Sequence, residues 1–213
     1  MFYDAGKQKK EIRKKVLELR DAIPVSDREQ YDARIKTIVT DRNEYREAQV
    51  ILAYASYLSE VDTGALIRQA LADGKCVFVP KVSGDEMEFW QIETPEALKE
   101  GYRGIPEPEE SISFPEWVEK RKEALVIKVM MWMPGVVFDV ERHRIGYGKG
   151  FYDRYLKHFC NWEKTICRRH TGTEIRLKTA ALAYQCQVTA HVPCETHDIR
   201  PDMVITEQGI YCE

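Results

Sequence analysis

The sequence predicts an α/β fold: a single three-layer, Rossmann-like domain over residues 1–213 with a largely parallel central sheet. Three observations carry that prediction. An apolar run, a helix with an apolar stripe and a second apolar run follow one another between Val50 and Val79, the order of a parallel βαβ unit. Helical apolar spacing precedes that unit. A long apolar run, Leu125 to Met133, lies behind it and ends on Pro134-Gly135.

From Lys7 to Ala22 the residues Ile12, Val16, Leu19 and Ile23 recur at helical spacing, which predicts an amphipathic helix with its lysines and arginines on the other faces. Ser26-Asp27-Arg28-Glu29 reads as a capping box for a second helix whose buried stripe is Tyr31, Ile35 and Ile38. Val50 to Ala55 is a buried strand by composition. Asp62 or Thr63 can cap the helix carrying Leu66, Ile67, Ala70 and Leu71, which stops near Gly74. Cys76 to Val79 is the next strand, closed by Pro80, and Met87 to Ile92 another. Gly101 to Pro108 is a loop. Met130, Met131 and Met133 are core packing. A helix starts near Lys149 and runs through Tyr155 and Leu156, and Thr179 to Tyr184 and Met203 to Thr206 are late strands.

Composition narrows the function classes. The 213 residues are 44% hydrophobic and 31% charged, enough for one full core. Net charge is -3 and the cations are dispersed, so no nucleic-acid footprint is expected. No apolar run reaches the length that spans a bilayer, so no membrane partner is expected either. Six cysteines behind a charged first segment point to reduced thiols and a cytoplasmic setting. Two sets could be assembled into a metal site, Cys186, His191, Cys194 and His197, or Cys160, Cys167 and His170, but no Cys-x2-Cys pair anchors either.

The segment Arg144-Ile145-Gly146-Tyr147-Gly148-Lys149-Gly150-Phe151-Tyr152-Asp153 carries the chemistry. Glycines at alternating positions before a helix let backbone amides approach an oxyanion, the helix N terminus adds partial positive charge, and Lys149 adds a full one. It is neither a Walker loop nor a dinucleotide fingerprint. Spacing alone leaves two readings open, a polyphosphate cradle or a tight turn whose Phe151, Tyr152 and Tyr155 pack inward.

The whole string from Met133 to Asp139 and then from Arg144 to Leu156 resembles the 5-formyltetrahydrofolate cyclo-ligase (5,10-methenyltetrahydrofolate synthetase) family. Lys9-x3-Arg13, Ser56 to Thr63, Gly104-Ile105-Pro106-Glu107-Pro108 and Val192 to Asp198 extend the resemblance, in the family's order, over nearly the whole chain. Two departures stand out: Val129 replaces a frequently acidic residue, and the stretch Cys160 to Thr179, with Arg168-Arg169-His170, is unfamiliar.

The resemblance implies conversion of 5-formyltetrahydrofolate, with or without a polyglutamate tail, to 5,10-methenyltetrahydrofolate while ATP is hydrolysed with magnesium. The formyl oxygen would take the γ-phosphate, and N10 would close the ring as phosphate leaves. It implies that Lys9 and Arg13, one helical turn apart, contact nucleotide phosphates. Arg144 to Tyr152 would form the ATP loop, with Tyr147 to Phe151 also bordering folate. Tyr57 and Asp62 would contact folate, although Asp62 is equally a helix cap. Asp153 and Asp198 would hold magnesium, and Lys149 and Arg144 would neutralise charge in the transferring group. A monomer is expected. Two competitors remain, another enzyme on a related scaffold, such as a sugar-phosphate isomerase or acyl-CoA transferase, and a non-catalytic folate-binding protein.

Overall fold

The structure, a computed structural model, describes residues 5–121, 126–169, 173–195 and 198–212. Leu125, His170 and His197 lie outside them, as do the side chains of Cys167, Arg168 and Arg169. Three helices, α1 (Ala5–Asp21), α2 (Val25–Asp41) and α3 (Asn43–Glu47), lead into β1 (Val50–Leu52), α4 (Gly64–Ala72), β2 (Cys76–Ser83) and β3 (Glu86–Ile92). A short hairpin of β4 (Lys99–Glu100) and β5 (Pro106–Glu107) precedes α5 (Phe114–Glu119) and β6 (Val126–Met133). Then come β7 (Val137–Asp139), β8 (Arg144–Ile145), α6 (Phe151–Arg169), β9 (Glu174–Leu182), β10 (Val188–Thr189), β11 (Met203–Thr206) and β12 (Gly209–Cys212).

The main sheet has seven strands in the order β12-β11-β9-β6-β1-β2-β3, parallel from β11 to β2 and antiparallel only at its two edges. Strand alternation sends neighbouring side chains to opposite faces. Ile51, Val77, Met130 and Trp132 join Ile35, Val39, Tyr45, Leu66 and Ile67 from α2, α3 and α4 in one core. Leu52, Phe78, Met131 and Met133 join Phe114, Trp117, Leu156 and Phe159 from α5 and α6 in the other. The result is the expected three-layer α/β architecture. The three methionines of β6 are fully buried core residues.

Several local expectations change. The capping box at Ser26 does not form: Pro24 is the N-cap and the helix begins at Val25, so Ser26 sits too far into the first turn and bonds Asp27 instead. Pro80 does not close β2, which continues to Ser83 along β3. Pairing with β1 ends at Phe78, so one side of the strand is open at Pro80 and its missing N–H removes no ladder bond there. β9 starts at Glu174, five residues before the predicted strand, inside the stretch the resemblance left unfamiliar.

The largest addition is a second sheet of three short strands, β10-β7-β8, built after β6. Gln187 is buried and donates to the carbonyls of Gly135 and Val136 at 2.9 and 3.0 Å. Asp139 accepts from the amides of His143 and Val192, both at 2.9 Å, and so ties the turn after β7 to the chain after β10. Its carboxyl lies below the usual range: burial would raise it, but the His143 side chain and these amides outweigh burial. Val136, Val137, Ile145 and Val192 form the apolar face of this small sheet, and Val16 of α1 packs into it.

Gly135 turns the chain from β6 into β7 where a Cβ would collide with the buried Phe138 ring. Gly135→Ala should therefore cost about 1–3 kcal/mol through overpacking, seen as a lower denaturant midpoint at unchanged m-value. An unchanged midpoint would mean that Phe138 has room to withdraw.

Candidate active site

A cleft of about 690 Å³ opens beyond the carboxyl ends of β1, β2 and β6, where a parallel sheet leaves strand ends and loops to build a site. Its walls come from α1, the segments after β1 and β6, the β4–β5 hairpin, the N terminus of α6 and the chain around Asp198.

Helix α1 is oriented differently from the expectation. Leu19, assigned to the apolar face, is 50% exposed, whereas Lys9, Arg13, Val16 and Arg20 share the inward face. These positions follow i, i+4, i+7 and i+11, so the buried stripe of this helix is largely cationic. Lys9 donates to Asp198 at 2.6 Å and to Glu195 at 2.9 Å. Burial alone would lower the Lys9 ammonium, but these two carboxylates raise it overall and keep it charged. Arg13 donates through Nε to the Gly146 carbonyl at 2.8 Å.

The glycine segment lies against that stripe. Gly148 (φ 92°) and Gly150 (φ 66°) occupy the left-handed region, which the loop can use because neither carries a Cβ. A Cβ at Gly148 would lie 3.5 Å from an Arg13 guanidinium nitrogen, so backbone and cation meet closely here. Arg144 is buried, donates to the Pro134 carbonyl at 3.1 Å and pairs with Asp153 at 3.0 Å. Asp153 also accepts from the Ile199 amide at 3.2 Å. Lys149 is exposed at the cleft, and the Tyr152 hydroxyl is buried with no hydrogen-bond partner among the described residues. Ile145 is both cleft wall and apolar anchor in the small sheet.

The opposite wall is aromatic and apolar. Tyr57 lines it beside Gly104, and Tyr102 meets Phe151 edge to face at 6.1 Å. Val82, Met87 and Ile105 complete this wall. Two carboxylates lie on this side of the cleft: Glu107, whose Oε1 accepts from the Val82 amide at 3.1 Å, and Glu60, which sequence reasoning missed. Glu60 accepts from the Tyr57 amide at 2.9 Å and from the Tyr147 hydroxyl, and burial pushes its carboxyl above the ordinary value. Asp62 is exposed and does not line the cleft. Its Oδ1 accepts from the Gly64 amide at 2.9 Å in the turn leading into α4, whose N-cap is Thr63.

The structure thus gathers Lys9, Arg13, Tyr57, Arg144 to Asp153 and Asp198 around one cleft and leaves Asp62 out. Asp153 and Asp198 offer hard oxygen donors, and no group of three or more His, Cys, Asp or Glu side chains among the described residues is arranged to hold a metal. Two carboxylates beside several cations fit a hard ion bound largely through phosphate oxygens and water, as magnesium is, rather than one caged by protein. The unpartnered Tyr152 hydroxyl and the Arg144 Nε, buried without a partner, fit a polar ligand as well.

Comparison with known proteins points to one family. The 5-formyltetrahydrofolate cyclo-ligase of Mus musculus is 29% identical over 175 residues, covering 80% of this chain and 79% of that one. The 5-formyltetrahydrofolate cyclo-ligase of Haemophilus influenzae is 25% identical over 199 residues, covering 90% and 94%. The solved 5,10-methenyltetrahydrofolate synthetase of Aquifex aeolicus matches with a TM-score of 0.74 at 28% identity, covering 96% of this chain and 92% of that one. A model of the 5-formyltetrahydrofolate cyclo-ligase family matches residues 5–207, so this chain is an enzyme belonging to that family.

Proposed function

We propose that this chain converts 5-formyltetrahydrofolate to 5,10-methenyltetrahydrofolate while ATP is hydrolysed to ADP and phosphate. The observation that carries the reading is the continuity of the cleft. A wall of Lys9, Arg13, Arg144 and Lys149 around a glycine-rich backbone runs into an aromatic wall that ends on the half-buried Glu60. Such a cleft suits a polyphosphate and a flat heterocycle side by side.

In this reading the formyl oxygen takes the terminal phosphoryl group, which converts a poor leaving group into a good one, and N10 closes the ring as phosphate departs. Lys9, Arg13 and the amides from Gly146 to Gly150 hold the polyphosphate. Lys149, exposed on a left-handed loop, is the charge free to follow the transferring group, whereas Arg144 is anchored by Pro134 and Asp153. Asp153 and Asp198 would hold magnesium, which would supply further charge neutralisation when bound. The role that the resemblance suggested for Asp62 passes to Glu60, whose carboxylate accepts from the amino-pyrimidine edge of the pterin while Tyr57 lies against the ring.

Glu60 is kept at a cost. Because folding raises its carboxyl above the unfolded value, stability falls as pH rises from the unfolded value through the folded one, so an ionised Glu60 serves binding rather than folding.

Purified protein with magnesium, ATP and 5-formyltetrahydrofolate should develop the near-ultraviolet absorbance of the methenyl product. Its absence at high enzyme concentration ends the reading. Lys149→Ala should lower kcat by about 10²–10³ with an unchanged Tm, since it removes a charge and no core contact. An unaltered kcat would take Lys149 out of the chemistry. Glu60→Gln should raise KM for the folate by about tenfold or more. In the wild type kcat/KM should fall as pH drops through the raised Glu60 value, and this acid limb should be missing from the variant. A retained limb would assign it to another group.

A further inference from the structure

Arg20 does not line the cleft, yet it is 2% exposed and lies directly behind it. Its Nε donates to the Ser59 hydroxyl at 2.9 Å and one terminal nitrogen donates to the Tyr147 hydroxyl at 2.9 Å, while the other is buried without a partner among the described residues. Each hydroxyl passes the contact on to a carboxylate, Ser59 to Asp21 and Tyr147 to Glu60. Among the described residues no carboxylate lies within ion-pair distance of the guanidinium, so its charge is met through two hydroxyl relays.

Removing a guanidinium from water costs several kcal/mol, and an apolar residue at the same position would pack the helix without that cost. The fold has no evident need of the charge, because Val16 and the small sheet already hold α1 by apolar contact. What the charge reaches is the cleft. Resting on the folate reading above, we infer that Arg20 is a positioning residue: through the Tyr147 hydroxyl it holds the Glu60 carboxylate in place for the folate, without touching the substrate itself.

The groups facing Glu60 are Arg20 from α1, Tyr54 from the segment after β1, Tyr147 from the glycine segment and Tyr152 from α6. Arg20 is the one cation in this set, and it counteracts the burial that raises Glu60. Tyr147 is 47% exposed, but the withdrawal of its hydroxyl end from water and the neighbouring Glu60 charge raise the phenol above its ordinary value, so the relay hydroxyl stays protonated and donates to Glu60.

The test compares wild type, Arg20→Met, Arg20→Lys, Tyr147→Phe and the Arg20→Met/Tyr147→Phe double variant. Arg20→Met should raise KM for 5-formyltetrahydrofolate about tenfold, leave KM for ATP and Tm in place, and move the acid limb of kcat/KM to higher pH. Arg20→Lys should recover part of the loss. The double variant should lose little more than Tyr147→Phe, because both changes break one relay. An unchanged folate KM and acid limb, or additive losses, would overturn the inference.

A second readout needs no turnover. The Glu60 carboxyl carbon, followed by NMR through a pH titration, should titrate higher in Arg20→Met than in wild type, and an identical titration would sink the positioning role. If wild type neither turns over nor binds the folate, the functional reading fails while this titration still decides the role of Arg20. Should Arg20→Met not fold, Tyr147→Phe, which keeps the buried charge, must still raise the Glu60 titration, and its failure to do so overturns the inference.

Discussion

The seating of α1 on the small sheet is the contact on which the rest of the cleft depends. Val16 packs with Val136, Val137, Ile145 and Val192, with Ile12 and Leu17 at the margin, and this apolar seam sets the rotation of the helix. Once Val16 points inward, the 3.6-residue period brings Lys9, Arg13 and Arg20 inward as well. A helix with a cationic inner stripe cannot bury it against a plain apolar core, because unpaired charges taken out of water cost far more than apolar contact returns. Here the stripe meets carboxylates, a carbonyl and two hydroxyls instead.

That pairing has a consequence for ligand binding. Lys9 is matched to Asp198 and Glu195, and Arg144 to Asp153, so much of the cationic wall is already neutralised by the carboxylates proposed to hold magnesium. Under the proposed function, a magnesium polyphosphate would exchange these internal pairs for new ones of the same sign pattern, carboxylate to metal and cation to phosphate. The cleft would then bind its charged ligand without leaving a bare charge behind in either state. Lys149, on its exposed glycine loop, stands outside this exchange, which is why the reading assigns it to charge that appears only during reaction.

The layered fold was legible because the central strands β1 and β6 are near-continuous apolar runs and α2 and α4 carry single apolar stripes. The small sheet was not. Its strands are two or three residues long and pair over distances that no local pattern encodes, from Val137 to Ile145 and from Phe138 to Val188. Helix α1 misled for a different reason. Periodicity finds an apolar face and assumes charges face water, so a helix whose charges are its buried function reads with the wrong rotation. Pro80 misled because an edge beyond a short neighbouring strand tolerates proline, and the length of β1 could not be known from β2.

The exchange of Asp62 for Glu60 shows the same limit at the scale of one turn. The carbonyl of Tyr57 accepts from the Glu60 amide at 3.2 Å, and Leu58 between them has φ 54°, a left-handed conformation that a branched-chain residue adopts only at a cost of about 1–3 kcal/mol. Leu58 is 79% exposed, so no apolar contact offsets that cost. The turn brings Ser59 under Arg20 and Glu60 back to the Tyr57 amide, while Asp62, two residues on, faces solvent and accepts from the Gly64 amide at the start of α4. Glu60 and Asp62 are both carboxylates two residues apart, and the turn through left-handed Leu58 precedes the one that lines the cleft. Strain of this kind leaves no mark in composition or period, so the sequence pattern offers nothing that separates Glu60 from Asp62.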